Sequence, residues 1–458
     1  MAPGFTGPLQ DRAYSTKPFS FLDQNAQNDL ATFIEIDLIE NGSRAARERW
    51  QKAQLVNLIQ FAHANSEFWR SRLPLAISSE DPLSGLGSLS RLDVNYQVEK
   101  EGALCSQDLL ANVVSYASSG STGTPVKTFS MQQNAHYNEL RSLAQYYVEG
   151  RNLKFNRTFI KPADGRFYLD SPTGSKVEIK PSWIGNFTDI YHHGHNKIIQ
   201  YDNNADQLVD ELLKHEVGYL ACLGSHMDIL LKVGGEELIK KLKIEMWLHH
   251  SDNFDPNHRL ILDRCAVSIR SSYSCAELGP IAIECPKTPG FYHVVHSNVI
   301  VEGDEKDAIE LGEIRLHKIL LTHLHSYATP LIRYDVGDYA CFHHECPCGH
   351  DGNTLSNIFG RKKYFLNAGN GEMIPFPIFS KPLLDLLYFD EFFIYQPDLA
   401  NIIVVFGGPS EISSQQRIRV INFIKSLSHA RFNISIEVVP KIDWSKNPKH
   451  LPFISYVS

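Results

Sequence analysis

The spacing of apolar residues between positions 44 and 73 predicts an early helix. Apolar side chains recur there at helical intervals and would line one helix face, at Leu55, Leu58, Ile59, Ala62 and Trp69. The run ends near Pro74, where a helix is expected to stop. The next stretch, 74–100, is rich in Ser, Gly, Pro and Asp, and we expect it to form loops.

Helical and strand-like patterns alternate in the middle of the chain. Residues 206–214 and 227–240 have helical periodicity, whereas the apolar runs 218–223 and 243–248 are typical of short buried strands. Such alternation predicts an α/β fold with several layers of helices and sheet.

The pattern changes after residue 361. Residues 389–396, 401–406 and 433–439 are strand-like, and 412–427 is helical, which predicts a small α+β unit. A chain of 458 residues also exceeds what one hydrophobic core usually serves. We therefore expect a large N-terminal domain, 1–360, followed by a small C-terminal domain, 361–458.

Composition and charge exclude several partners. A hydrophobic content of 43% is ordinary for a globular protein, and a net charge of −8 without a long Lys/Arg run argues against nucleic-acid binding. No stretch of eighteen uncharged apolar residues and no leader-like N-terminus is present, so we expect no membrane partner and a cytoplasmic location. The oligomeric state stays open, with a homodimer as one alternative.

A segment rich in glycine and hydroxyl residues follows the apolar-leaning run 109–116. Glycines let the backbone approach phosphate oxygens, and hydroxyl groups add uncharged donors. The segment therefore predicts a nucleotide-binding loop, although similar clusters also occur in plain turns. Val126 stands where a Walker A loop needs glycine before its lysine, here Lys127, which disfavours that class of loop. The loop residues are Ser118, Ser119, Gly120, Ser121, Thr122 and Gly123.

Three later segments follow this loop in a specific order: 272–279 (SYSCAELG), 330–338 (PLIRYDVGD) and 359–363 (FGRKK). Together the four segments resemble the motifs of the adenylate-forming enzymes, which include acyl-CoA synthetases, peptide-synthetase adenylation domains and luciferases. The phenylacetate-CoA ligase branch is most similar, because of the strings at 277–285 (ELGPIAIEC) and 346–349 (CPCG) and the early helix. The resemblance covers roughly residues 54–449.

The resemblance implies that a small aromatic or polar carboxylic acid is activated with ATP and Mg²⁺. Pyrophosphate would leave, and the acyl group would pass to coenzyme A as the expected acceptor. A carrier-protein thiol or an amine is an alternative acceptor, and a catalytically decayed nucleotide-binding homologue is a third reading. The family resembled also implies the fold class, a large multi-layer adenylate-forming domain followed by a small mobile domain.

The matched positions imply a nucleotide site. Glu277 would bind Mg²⁺, which prefers carboxylate oxygens, and Tyr273, beside Ser274, would stack on adenine. Asp338 would bind the ribose hydroxyls, and Arg361 would contact ribose or phosphate. Ala276 stands where relatives usually have a hydroxyl residue, so one hydrogen bond to the α-phosphate is missing.

Three lysines carry the remaining catalytic expectations. Lys127 would supply the charge of the nucleotide loop. Lys449 is the candidate for the family's C-terminal catalytic lysine, although Pro448 stands where glycine is expected. Lys363 matches the hinge position about which the small domain would rotate.

The acid is expected to bind near the segment before Tyr273. Two adjacent histidines could bind a polar substrate or could only lie in a loop. The candidate lining residues are Trp247, His249, His250, Gly224 and Ser225.

Cysteine spacing points to a metal. Cys346 and Cys348 form a Cys-x-Cys pair in a turn-forming context, but a tetrahedral metal needs two more ligands. The resemblance supplies Cys285 and His293, and so implies a structural zinc. The alternative is a metal-free turn with incidental cysteines.

Overall fold

The computed structural model describes most of the chain, namely residues 19–73, 81–117, 125–149, 151–162, 176–183, 193–201, 204–250, 256–311, 314–360, 365–369, 372–376, 391–408, 411–428, 431–443 and 453–457. Short 3₁₀ helices span Phe19–Phe21 and Gln107–Asn112. The α-helices in this part of the chain are α1 (Gln24–Asn41), α2 (Arg44–Asn65), α3 (Glu67–Arg72), α4 (Arg91–Glu101), α5 (Gln132–Val148), α6 (Ala205–Leu213), α7 (Gly224–Lys241), α8 (Pro256–Arg264) and α9 (Ser414–Leu427).

The strands within the described residues fall into four sheets. They are β1 (Val113–Ala117), β2 (Lys127–Met131), β3 (Arg157–Pro162), β4 (Val177–Lys180), β5 (Asn196–Tyr201), β6 (Gly218–Cys222), β7 (Ile244–His250), β8 (Ser268–Cys275), β9 (Gly279–Glu284), β10 (Phe291–Val294), β11 (Val299–Leu311), β12 (Ile314–His323), β13 (Tyr334–His343), β14 (Thr354–Phe359), β15 (Phe365–Gly369), β16 (Glu372–Pro375), β17 (Glu391–Gln396), β18 (Asn401–Gly407), β19 (Asn433–Val439) and β20 (Phe453–Ser455).

One twelve-stranded sheet organises the larger part of the molecule. Its order is β11-β12-β13-β14-β10-β9-β8-β7-β6-β3-β5-β4. Strands β5, β3, β6, β7 and β8 pair in parallel, whereas from β8 through β9 to β11 every pairing is antiparallel. Strand β8 therefore lies where the sheet changes from parallel to antiparallel pairing, and its carboxyl end carries two of the predicted nucleotide residues, Tyr273 and Ser274. The α/β fold class predicted from the sequence is confirmed.

The predicted early helix consists of two helices. The side chain of Ser43 caps α2, which ends at Asn65. The next residue, Ser66, begins α3, because its Oγ accepts a hydrogen bond from the backbone N–H of Trp69 at 3.0 Å. The predicted apolar face is buried as expected, with Leu58 and Ile59 fully buried. The helix break at Ser66 was missed because the apolar spacing continues across it.

The expectation of loops throughout 74–100 was wrong at its end, where α4 begins. Ser90 and Asp93 form a capping box, in which each side chain bonds to the other residue's backbone N–H. Ser and Asp also favour turns, so the sequence pattern did not distinguish a loop from a capped helix start. Val94 and Val98 then bury one face of α4.

Two of the apolar clusters that pack helices against the large sheet lie on its antiparallel and its parallel strands. One joins α2, α3 and α4 to the antiparallel strands and includes Leu89, Ile281 and Leu331. The other packs α6, α7 and α8 against the parallel strands around Trp247. The predicted alternation of helix and strand between 206 and 248 is confirmed by α6, β6, α7 and β7.

The last hundred residues contain a separate four-stranded sheet, in the order β19-β18-β17-β20. Its own apolar cluster includes Val420 and Ile424 of α9, so the predicted strands and helix are present. Phe365 packs with Leu316 and Tyr339 of the large sheet, while the next residue, Leu366, belongs to the cluster of the small sheet. The domain boundary at 360 falls beside residues outside the described part and stays a prediction.

Candidate functional site

Two predicted nucleotide residues meet although they lie 65 positions apart in sequence. Tyr273 stands near the carboxyl end of β8, and Asp338 lies within β13. The phenol Oη of Tyr273 donates a hydrogen bond to Asp338 Oδ2 at 2.8 Å. The bond fixes the position of the aromatic ring and of the carboxylate relative to each other. The residue predicted to stack on adenine and the residue predicted to bind the ribose are thus adjacent.

Glu277 lies in the tight turn between β8 and β9, close to this pair. Tyr334 donates a hydrogen bond to Glu277 Oε1 at 3.3 Å. Burial, with Glu277 as a second cause, raises the pKa of Tyr334 well above its usual value, so its hydroxyl stays protonated and remains a donor. Glu277 is held from one side by a neutral group, and its carboxylate keeps the capacity to bind a cation.

The same turn requires glycine at its end. Gly279 has φ of +77°, a conformation that side chains rarely adopt, and a Cβ there would lie 3.2 Å from Asn138 Nδ2. Ala276 is exposed, and Ser274 pairs across the sheet with Pro280. The backbone of the 274–280 segment is therefore closely defined around Glu277.

Several predicted site residues lie outside the described part of the chain: Ser118, Ser119, Gly120, Ser121, Thr122, Gly123, Arg361, Lys363 and Lys449. Lys127 is described, exposed at the start of β2, with its Nζ 5.1 Å from the centre of the Phe129 ring. Its backbone N–H donates to Asn95 Oδ1 at 3.1 Å, and Asn95 Nδ2 donates to the carbonyl of Pro125 at 2.9 Å. Asn95 of α4, which sequence reasoning missed, thus holds the segment that follows the loop.

The predicted acid-site residues occupy two faces of the sheet. Trp247 is fully buried in the cluster beneath α7 and α8, and its Nε1 donates to the carbonyl of Cys222 at 3.1 Å. His249 lies on the same face, its Nδ1 2.9 Å from Ser271 Oγ. His250 points to the opposite face, with its ring 5.1 Å from that of Phe159, because side chains alternate along a strand.

The two adjacent histidines therefore do not face the same side of the sheet. Gly224 and Ser225 begin α7 at the carboxyl end of β6. Their position next to β7 agrees with a site at the carboxyl ends of the parallel strands. A role for these residues in binding the acid stays a prediction.

The four predicted metal ligands come together. Cys285 follows β9, His293 lies in β10, and Cys346 and Cys348 lie in the loop between β13 and β14. Their ligand atoms all lie within 4.8 Å of one another, and His293 Nε2 is 3.5 Å from Cys348 Sγ. Three sulfurs and one imidazole nitrogen at this spacing fit a tetrahedral zinc, which takes such donor sets in structural sites.

The surroundings of the cluster also suit a metal. Cys285 Sγ accepts hydrogen bonds from the backbone N–H groups of Lys287 at 3.4 Å and Thr288 at 3.2 Å. Burial opposes the charged form of Cys285, but these donors together with the neighbouring thiols bring its pKa below the usual value. Burial lowers the pKa of His293 to about 4, so its ring is neutral near pH 7 and its nitrogen lone pair is free for a metal.

Polar contacts that sequence reasoning missed connect α2 to the β13–β14 loop (residues 344–353), called the metal loop below, and to the turn that follows β10. Arg47 of α2, only 2% exposed, pairs with Asp351 at 2.6 Å. Gln51 Nε2 donates to the carbonyl of His296 at 2.8 Å. Because Arg and Gln in a helix usually lie on the surface, the sequence alone does not predict these contacts, and they appear only when α2 packs against the sheet.

Comparisons with known proteins identify the fold. No protein-family model matches the chain, and no curated protein matches its sequence. A crystal structure of 2-hydroxyisobutyryl-CoA ligase in the postadenylation state with 2-HIB-AMP matches with a TM-score of 0.64 and 14% identity, covering 92% of this chain and 91% of that chain. The chain has the fold of adenylate-forming enzymes.

Two further structures agree. The same ligase with 2-HIB-AMP and CoA in the thioesterification state has a TM-score of 0.58 at 14% identity, covering 92% of each chain. GH3.15 acyl acid amido synthetase has a TM-score of 0.53 at 12% identity, covering 89% of this chain and 88% of that chain. The resemblance inferred from the motifs is confirmed at the level of the fold, whereas the phenylacetate-CoA ligase branch stays a prediction. None of the helices in the described part is long and apolar enough to cross a bilayer.

Proposed function

We propose that this protein is an ATP-dependent ligase that converts a small carboxylic acid into an acyl-adenylate and releases pyrophosphate. The hydrogen bond between Tyr273 and Asp338 carries the proposal. It joins two residues, chosen from separate motifs, whose proposed partners are the base and the ribose of one nucleotide. The adenylate-forming fold is the second support.

Glu277 has the central electrostatic role in this proposal. Attack of a carboxylate on the α-phosphate of ATP brings two anions together, so the site must neutralise charge. Mg²⁺ at Glu277 would offset the charge on the phosphates, while Lys127 adds a positive charge at the edge of the nucleotide loop. Arg361 and Lys449 complete the proposal as further cationic groups, with Lys363 as the hinge.

Coenzyme A is the proposed acceptor of the acyl group. The structures of 2-hydroxyisobutyryl-CoA ligase, which share the fold over about nine-tenths of the chain, favour this acceptor. Transfer to an amine is the second candidate, favoured by the shared fold of an acyl acid amido synthetase. The acid itself is proposed only as a class, small and aromatic or polar.

The cluster of Cys285, His293, Cys346 and Cys348 is proposed to bind a structural zinc. Zinc bound there would hold the β13–β14 loop against β9 and β10, and would take no part in the reaction.

A pyrophosphate-release assay with a panel of carboxylic acids tests the proposed activity. Release that depends on both acid and ATP, with an acyl-adenylate found by mass spectrometry, is the expected result. Adding coenzyme A or an amine in separate reactions then identifies the acceptor from the mass of the product. Acid-independent ATP hydrolysis, or no turnover with any acid, would leave the ligase proposal without support.

A further inference from the structure

Asn298 lies behind the Glu277 turn and contacts it from the protein interior. Its side chain is completely buried. Its Nδ2 donates to the carbonyls of Leu278 at 2.9 Å and Pro280 at 2.6 Å, on either side of Gly279. One amide group therefore binds both ends of the segment that leads from Glu277 into β9.

The backbone of Asn298 is itself held in a short turn. Its N–H donates to the carbonyl of Val295 at 3.0 Å, and its carbonyl accepts from the N–H of Leu324 at 3.0 Å. Val295 in turn donates to the carbonyl of Ile281 in β9 at 2.8 Å. The turn 295–298 is thus attached to the same strand that begins at the Glu277 turn.

Helix α1 holds this turn from the other side. The carboxylate of Glu40 accepts from the backbone N–H of Ser297 at 2.8 Å and of His296 at 3.2 Å. Burial disfavours the charged form of Glu40, but the hydrogen bonds from His296 and Ser297 outweigh it and bring the pKa of Glu40 below its usual value. A charged acceptor for two backbone N–H groups makes this attachment a strong one.

The turn 295–298 also follows directly on β10, the strand that carries His293. His293, a proposed zinc ligand, lies five residues before Asn298, and Val294 donates to the carbonyl of Asn353 in the metal loop at 3.0 Å. Asn353 N–H in turn donates to His296 Nε2 at 3.2 Å. The metal loop, α1 and the Glu277 turn therefore meet at residues 295–298.

We propose that Asn298 is a positioning residue: it orients the Glu277 turn for Mg²⁺, and Glu40 and the metal loop hold Asn298 in place. The inference rests on the proposed function, because it assigns Mg²⁺ binding to Glu277. Residues that orient a metal ligand without touching the metal commonly change metal affinity by 10- to 100-fold. The turn 295–298 supports that role. Its hydrogen bonds to β9 and to Glu40 hold the backbone around Asn298, and the Asn298 side-chain amide donates to the carbonyls on either side of Gly279.

Asn298→Ala removes both side-chain hydrogen bonds and leaves Glu277 intact. Asn156→Ala is the matched control, because Asn156 also bonds two backbone groups, the carbonyl of Glu216 and the N–H of His195, but at the amino end of β3. Hydrogen exchange of the amides of residues 276–279, followed by mass spectrometry, should accelerate on the order of tenfold in Asn298→Ala and stay unchanged in the control. This measurement needs no substrate and no turnover.

The Mg²⁺ dependence of pyrophosphate release is the second readout. Asn298→Ala should raise the Mg²⁺ concentration for half-maximal release about 10-fold or more, while the control keeps the wild-type value. Unchanged exchange at 276–279 overturns the inference, and faster exchange with an unchanged Mg²⁺ requirement overturns the link to the metal. If the wild type releases no pyrophosphate with any acid, the proposed function fails, and hydrogen exchange still decides whether Asn298 holds the turn.

Glu40→Gln covers the case in which Asn298→Ala does not fold. Glutamine keeps one acceptor oxygen but removes the charge that holds Ser297 and His296. The same direction of change is expected, with a smaller size, in both exchange and Mg²⁺ requirement. An unchanged turn in a folded Glu40→Gln variant would contradict the role given to α1.

Discussion

Removal of one of the four proposed zinc ligands should destabilise the large sheet and release the zinc. Cys346→Ser is the perturbation, because Cys346 is 2% exposed and its sulfur lies within 4.8 Å of the other three donors. Zinc that binds only the folded chain stabilises it by about 4 kcal/mol when free zinc exceeds Kd a thousandfold. With an unfolding entropy of about 2.1 cal/mol/K per residue, a cooperative unit of roughly 300 residues would lose about 6 °C in Tm.

Cys341→Ser is the matched control. Cys341 is a partly buried thiol of β13 with Arg315 and Asn357 as neighbours, and it is not one of the four donors. Metal per chain is measured by elemental analysis, and Tm by thermal unfolding with and without a chelator. The wild type and Cys341→Ser should contain about one zinc and lose Tm with chelator, whereas Cys346→Ser should do neither. Equal metal content and equal Tm in the two variants would refute the assignment of the metal site.

Three further predictions test the nucleotide site, the ion pair between Arg47 of α2 and Asp351, and a buried histidine. Tyr273→Phe loses the donor to Asp338 at 2.8 Å but keeps the ring, so KM for ATP should rise about tenfold; an unchanged KM would contradict the pairing. Arg47→Met breaks the ion pair with Asp351, in which the arginine is buried. This variant should lower the unfolding free energy by about 2–3 kcal/mol in denaturant titration, whereas Arg264→Met, at an exposed pair, should change it little. Equal effects of the two variants would refute a stabilising role of the Arg47–Asp351 pair. Burial, with Arg141 as a second cause, lowers the pKa of His325 from 6.5 to about 4, so the unfolded chain takes up the proton first and stability falls as pH drops from 6.5 to 4. His325→Gln should lose less stability across that window, by up to about 3 kcal/mol, and a parallel decline in both proteins would argue against it.

The spacing of apolar residues predicted those helices and strands that bury one regularly spaced set of apolar side chains. The alternation of α6, β6, α7 and β7 was predicted because each buries one regular set of apolar residues, as Leu208 and Leu220 do. The start of α4 was missed because Ser90 and Asp93 serve equally in turns and in helix caps. The break at Ser66 was missed because capping is a matter of hydrogen bonds, which apolar spacing does not record.

The candidate site is formed by contacts between segments that lie far apart in the sequence, which local patterns do not record. Spacing alone paired Cys346 with Cys348, and only the resemblance added Cys285 and His293, which the pairing of β10 with β9 and β14 brings beside them. The supporting contacts of Asn298 could not be predicted, because they form only when β9, β10 and the turn after β10 pack together. A buried asparagine looks in sequence like any polar residue between two strands.

The most direct test of the proposed ligase compares pyrophosphate release by the wild type and by Glu277→Gln, with ATP, Mg²⁺ and the acid that the panel identifies. The substitution keeps the shape of the side chain but removes the charge that would bind the metal. The account predicts acid-dependent release by the wild type and a loss of about 10²-fold or more in the variant, with Tm unchanged. Release by Glu277→Gln at the wild-type rate at ordinary Mg²⁺, or no acid-dependent release by the wild type, would contradict it.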